Sequence, residues 1–292
     1  MDLVDQCVGR FCLRLPAAMK RTSDEEEVQG VKLEEVAWEK AAKDPWEHEW
    51  LERLRKIEAK KANREFAKAA DGEILDQKMI KPGTLKAVFY CPGPAKARTA
   101  LGAIYNAGRS GLWLEILVSE KRKDEAAARI AEVAAAYRPD EPGHPRPKGA
   151  FHLPHGVIAA PFKLGEEAAV HFKGGPLDLE LELALETTFE PDDTSLMQKF
   201  ANMMESSGVA AMGAGLRPIR SKKRKVAELP GEEIILLGKQ DDEGSLFFQW
   251  RTPGEQESGK HPAMNVVLRG SDAQKDEKIA FWDALLDSVK PA

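Results

Sequence analysis

The sequence predicts an α+β protein of two domains, each an antiparallel sheet with about two packed helices. Three observations predict it. Short runs with strand chemistry, separated by Gly, Pro or Ser turns, recur in both halves of the chain. Helix signals interrupt them twice in each half. Between the halves, "RPDEPGHPRPKG" (Arg138–Gly149) packs four prolines into twelve residues, which neither a helix nor a central strand can continue through. The expected division is therefore an N-terminal α+β domain over 1–140, a Pro-rich linker over 141–149 and a C-terminal α+β domain over 150–292.

The elements follow in order. "FCLRL" (Phe11–Leu15) and "VQGVKLEEV" (Val28–Val36) read as strands, with the acidic "SDEEEVQG" as the turn between them. "KDPWEHEW" then offers Asp44 as N-cap and Pro45 at the first helical position. Trp46, Trp50, Leu54 and Ile57 recur every three or four residues and share one helix face, with the helix running to about Ala70. "TLKAVFYC", "RTALGAIYNA" and "GLWLEILV" form an antiparallel meander, and Lys123–Tyr137, rich in Ala and Glu, is the second helix. In the second half, strands are expected near Gly156–Ala160, Ala168–Lys173, Leu177–Glu186, Lys222–Glu228, Glu232–Gly238, Ser245–Arg251 and Ala263–Arg269. A helix is expected at Thr194–Ser206. Another, at Asp276–Val289, places Ile279, Trp282, Leu285, Leu286 and Val289 on one face.

Composition bounds the function. The 292 residues carry a net charge of −5, a surface with no global attraction to nucleic acid. No apolar run approaches the ~20 residues of a membrane-spanning helix. The start of the chain shows no basic stretch followed by an apolar one, so it reads as lacking an export signal. Three cysteines leave at least one outside any pair. Cys7 and Cys12 are five apart, and on one strand an odd separation points side chains to opposite faces, so these two are expected not to bridge each other. Cys91 is a candidate partner for either, a buried thiol being the alternative.

A search for catalysis returns little. "HLPH" (His152, His155) lacks the further ligands a zinc site needs. "GRSGL" (Gly108–Leu112) has Leu112 where a nucleophile elbow needs Gly, and it lies between two strands, so it reads as a hairpin turn. "GVAAMGAGLR" (Gly208–Arg217) lacks the Lys of a phosphate loop. "RSKKRKV" (Arg220–Val226) is basic but has no aromatics to stack bases, and it reads as an edge strand guarded by charge. No catalytic residue, cofactor site or metal site is assigned, and the expectation is a binding protein rather than an enzyme.

Scattered residues also resemble a known family. "CVGRFCLRLP" near the start, "RKVAELPGEEIILLG" (Arg224–Gly238), "LFFQWRTPGEQESGKHPAMNVVLRG" (Leu246–Gly270) and "FWDALLDSVKP" (Phe281–Pro291) are similar, in the same order, to the cognate immunity proteins of class-four lipase effectors of the bacterial type VI secretion system. The resemblance implies two α+β domains that grasp an α/β-hydrolase lipase and block substrate access to it. It implies no cofactor, no nucleic acid and no membrane span. It also implies a periplasmic location, with a leader presumed removed. Trp250, Trp282, Leu285 and Gly231 are expected to be structural. The expected contacts to the partner are the acidic hairpin tip (Asp241, Asp242, Glu243) and an exposed Trp113, with the acidic Asp24–Glu27 turn as a second steering patch. The rival readings are an adaptor or chaperone for a secreted effector, and a lipid-processing enzyme with a dispersed site.

Overall fold

The structure, a computed structural model, describes residues 2–38, 43–60, 72–81, 83–93, 99–141, 143, 145–192, 194–206, 216–240 and 243–292. The chain divides into two compact units: unit 1 from Met1–Glu25 with Phe162–Ala292, and unit 2 from Glu26–Pro161. Both consist of antiparallel strands with packed helices, the α+β class expected.

The chain opens with β1 (Leu3–Val8), β2 (Phe11–Pro16) and β3 (Met19–Val28). The segment expected as an acidic turn is thus the second half of β3. Asp24 and Glu25 are exposed there, while Glu26 and Val28 are buried. β1 and β2 form a hairpin whose two-residue turn is Gly9-Arg10, with Gly9 at φ +53°, a conformation that favours glycine. Cys7 faces Cys12 across the hairpin, and the two are disulfide-bonded with Cα atoms 4.0 Å apart. This corrects the expectation that they do not bridge. They lie on neighbouring strands, so pairing register rather than sequence parity brings them together. Cys91, being half-buried and outside this bridge, pairs with neither.

Unit 2 holds β4 (Val31–Ala37), α1 (Pro45–Ala59), β5 (Ile74–Lys81), β6 (Leu85–Tyr90), β7 (Thr99–Asn106), β8 (Ser110–Val118), α2 (Lys123–Ala136), β9 (Tyr137–Pro139), β10 (Phe151–His152) and β11 (Gly156–Ile158). Its larger sheet runs β4-β8-β7-β6-β5. α1 starts as expected: the Asp44 carboxylate accepts the Glu47 N–H at 3.1 Å, with Pro45 in the first turn. Trp50 and Ile57 of α1 are buried against Val36, Val88, Tyr90, Ala100, Ile104 and Trp113. α2 buries Ala126, Ala127, Ile130, Val133 and Ala134, and packs on β4, β6, β7 and β8.

The Pro-rich stretch does not separate the two units. β9 pairs with β11, Tyr137 opposite Ile158 and Pro139 opposite Gly156, so the chain leaves and returns within unit 2. Arg146 closes the loop. Its Nε donates to Asp140 at 2.9 Å, its Nη1 lies 3.0 Å from His152 Nδ1, and its Nη2 donates to the Pro154 carbonyl at 3.3 Å. The units meet in sequence at Pro161/Phe162 instead, and the first 25 residues join the later stretch rather than the domain expected over 1–140.

Unit 1 continues with β12 (Glu167–Gly174), β13 (Leu179–Glu186), α3 (Leu196–Ser206), β14 (Arg217–Val226), β15 (Leu229–Gln240), β16 (Glu243–Thr252), β17 (Ala263–Ser271), α4 (Lys275–Ser288) and β18 (Lys290–Pro291). The strand order is β14-β15-β16-β17-β13-β12. β13 alternates as a half-buried strand should: Leu179, Leu181, Leu183 and Leu185 are buried, while Glu180 and Glu186 are exposed. α4 buries Phe281, Trp282, Leu285 and Leu286, and the Trp282 ring lies 5.5 Å from that of Phe248. Gly231, expected to be structural, is inside β15. The Trp250 ring crosses it so closely that an added Cβ would sit 2.6 Å from the ring. α3 covers Ile234 and Leu236 of β15 with Leu196 and Phe200.

Candidate functional site

The chemistries raised from the sequence separate cleanly. His152 is paired in β10, and His155 turns between β10 and β11 with its N–H donating to Glu35 at 2.6 Å. No group of three or more His, Cys, Asp or Glu that could hold a metal occurs among the described residues. Ser110 opens β8 after the hairpin turn expected there. Residues 208–215 of the glycine-rich loop lie outside the described residues.

Glu35 is a half-buried carboxylate of unit 2. It accepts the Tyr137 O–H at 2.8 Å as well as the His155 N–H. Burial pushes its pKa above the ordinary range, and these two hydrogen bonds only partly oppose it. The Tyr137 hydroxyl is in turn pushed up by burial and by the Glu35 charge. This carboxylate ties β4 to β9 and to the turn between β10 and β11.

The basic run is an edge strand, β14, as expected, but its two arginines are engaged. Arg224 Nη1 donates to Glu233 at 3.0 Å and to Asp283 at 2.6 Å, and its Nη2 donates to Asp287 at 2.6 Å. Arg220 binds both Asp283 oxygens, at 3.0 and 2.9 Å, while its Nε lies 2.5 Å from Glu233 without the alignment of a hydrogen bond. Glu233 is fully buried. Burial alone would raise the Asp283 pKa, but the two guanidiniums outweigh it and hold this carboxyl below the usual range. Arg220 and Arg224 therefore fasten β14 to β15 and α4, while Lys222, Lys223 and Lys225 of the same strand are exposed.

The expected partner contacts fare differently. Asp241 and Asp242 lie outside the described residues, as does the side chain of Glu243, whose backbone pairs with Gln240. Trp113 is not an exposed anchor. It is buried in the α1 cluster, with the Arg53 guanidinium 5.1 Å from its ring centroid and its ring against Gly102. Around Trp113 both faces of β8 are covered, one by α1 and one by α2, so neither side of the strand offers this Trp to solvent.

Sequence reasoning missed a groove of ≈ 590 Å³ in unit 1, beside the hairpin tip. Lys173, Glu180, Arg269 and Phe247 form one transverse row across β12, β13, β17 and β16. Lys173 lies 2.6 Å from Glu180 and holds its pKa below the usual range. Arg269 stands over the Phe247 ring at 5.6 Å, 3.5 Å from Glu182. The strand alternation is visible in the sequence, but the cross-strand order that assembles the row is not. A guanidinium stacked on an aromatic ring at a groove is the chemistry of protein–protein anchors.

Comparison with known proteins adds the following. Residues 145–291 match the family model described as the C-terminal domain of Tle cognate immunity protein 4. No curated protein matches the chain. Among solved structures, the apo immunity protein TplEi of the type VI secretion system from Pseudomonas aeruginosa is similar with a TM-score of 0.74 at 19% identity, covering 99% of this chain and 97% of that one. The same protein complexed with an "L" peptide gives 0.74 at 18% identity, covering 99% and 98%. The crystal structure of a Tle4–Tli4 complex gives 0.77 at 18% identity, covering 100% and 99%. At these identities the likeness is one of fold.

Proposed function

This chain belongs to the Tle cognate immunity protein 4 family, and we propose that it binds and neutralises a toxic lipase effector of a type VI secretion system. The match over residues 145–291 is the observation that carries this reading, and the likeness along the whole chain to a partner-bound Tli4 fold supports it. On this reading the protein works by surface fit and turns over no substrate. The lethal chemistry belongs to the lipase, and both units contribute contacts that keep substrate from its serine nucleophile. The hairpin tip Asp241–Glu243 supplies long-range attraction, and the Arg269–Phe247 groove beside it supplies an anchor.

The reading places the protein in the periplasm. Disulfides persist where the compartment is oxidising, and the Cys7–Cys12 bridge agrees with that location. No helix among the described residues is long and apolar enough to cross a membrane.

The test uses the purified chain and the α/β-hydrolase lipase encoded beside it. The expected result is a stable complex on size exclusion and loss of the lipase's ester hydrolysis at equimolar ratio, with no hydrolysis by this chain alone. Undiminished lipase activity in the presence of excess chain overturns the proposal. Turnover by the chain alone favours the enzyme reading.

A further inference from the structure

We infer that the Cys7–Cys12 bridge is a redox latch on a clasp formed by the two ends of unit 1, closed by oxidation and loosened by reduction. The hairpin joins first and last residues. β2 pairs with β1 on one edge and with β18 on the other, Lys290 opposite Cys12 and Pro291 opposite Phe11. The Ala292 N–H donates to the Arg10 carbonyl at 2.9 Å, and the Arg14 N–H donates to the Ser288 hydroxyl at 2.9 Å. Arg10 itself is fixed by two hydrogen bonds to the Glu166 carboxylate, at 2.7 and 2.6 Å.

The two strands of the hairpin are held very differently. β2 is buried at five of its six residues and packs on α4. β1 has only Val8 buried. It also touches β12, and its ion pairs among the described residues are the exposed Asp5–Lys290 at 2.8 Å and Asp5–Arg14 at 3.5 Å. Exposed pairs of this kind contribute little. An edge strand with so little apolar burial belongs to the readily opened part of a fold. The covalent bridge therefore supplies the adhesion that packing does not. It joins the half-buried Cys7 to Cys12, which lies inside β2 at 6% exposure.

The exchange chemistry balances with a dithiol as co-reactant. A thiolate of the dithiol attacks the more accessible Cys7 sulfur. The Cys7–Cys12 bond breaks, a mixed disulfide forms at Cys7, and Cys12 leaves as a thiolate that takes a proton from water. The second thiol of the reagent displaces Cys7. The bridge has then gained two electrons, and the reagent is a disulfide. Closure is the reverse, driven by a disulfide-carrying oxidoreductase.

The experiment is residue-resolved amide hydrogen exchange on the folded chain, before and after treatment with dithiothreitol, with reduction counted by alkylation and mass. Closing a six-residue loop restricts the open ensemble enough that reduction should speed exchange of the amides of residues 3–8 and of Ala292 by roughly 40-fold. Amides of β13, β16 and β17 should stay within about twofold, since their protection reports the unit as a whole. The Cys7→Ser/Cys12→Ser variant should show the fast pattern without reductant. Three outcomes overturn the latch: unchanged exchange in residues 3–8 after verified reduction, a bridge that resists dithiothreitol in the folded chain, or an equal rise across all of unit 1. A double variant as protected as the oxidised parent does the same.

Discussion

Replacing Arg224 with Met should be a damaging loss of charge in unit 1. Glu233 is fully buried, and its aligned hydrogen bond from this network comes from Arg224 Nη1 at 3.0 Å. At an effective dielectric of about 20, two unit charges 3 Å apart attract by about 5 kcal/mol. Taking each charge out of water costs several kcal/mol, so the intact pair is close to balance. Removing one partner breaks that balance, because the carboxylate keeps its desolvation cost. Arg220 remains 2.5 Å away and holds part of the loss down. Asp287, 73% exposed, returns to water, while Asp283 keeps its two hydrogen bonds from Arg220. The expected destabilisation is about 3 kcal/mol, at the lower end of the range for a broken buried pair. Urea unfolding followed by the fluorescence of Trp250 and Trp282 reads it as a fall in midpoint of about 1–2 M at ordinary slopes. The double variant Arg224→Met/Glu233→Met should be more stable than Arg224→Met alone, since it removes the stranded charge. The reasoning is refuted if the single variant lies within about 1 kcal/mol of the parent, or if the two substitutions destabilise additively.

Three other outcomes follow from the same structure. Gly231→Ala should destabilise unit 1 by about 2 kcal/mol or more, because its Cβ meets the Trp250 ring at 2.6 Å and the Arg251 carbonyl at 2.7 Å; a midpoint equal to the parent's contradicts this. Trp282→Ala should cost about 3–5 kcal/mol by opening a cavity under Phe248, read as a lower melting temperature with weakened near-ultraviolet circular dichroism. Two carboxyls should give stability opposite pH dependences. The raised Glu35 pKa means that the folded state holds its proton longer, so unit 2 loses stability as pH rises from the unfolded value of 4.5 through the folded one. The lowered Asp283 pKa means that unit 1 loses stability as pH falls below 3.8 toward its folded value. Melting of the parent against Glu35→Ala and Asp283→Asn across this range checks both signs.

Local signals were legible and long-range ones were not. The α1 start was readable because Asp44 and Pro45 act within one turn. The face of α4 was readable from Trp282, Leu285 and Leu286, but its buried Lys278 was not. That ammonium donates to the Ser271 carbonyl and hydroxyl at 2.8 and 3.0 Å, partners that only folding brings near. β1 and β5 escaped notice because edge strands such as "LVDQCV" and "ILDQKMIK" bury little and show weak alternation. Prolines correctly excluded helix and strand among the described residues of 141–149, although Pro139 sits in β9, but they say nothing about whether the chain returns. The pairing of β9 with β11 decided that. Trp113 carried its own warning: "LWLEILV" is apolar at consecutive positions, the mark of a strand covered on both faces. For the candidate site, residue types could be read, but the row Lys173–Glu180–Arg269–Phe247 needs four strands in register.

The chain leaves unit 1 after Glu25 and rejoins it at Phe162, which makes unit 1 discontinuous and unit 2 an insertion. Synthesis from the N-terminus therefore delivers the whole of unit 2 before most of its host exists. The inserted unit can complete its own fold by Pro161, while the opening hairpin must wait for α4 and β18, nearly the full length of the polypeptide away. A nascent chain halted anywhere between them holds one finished unit and one orphaned hairpin.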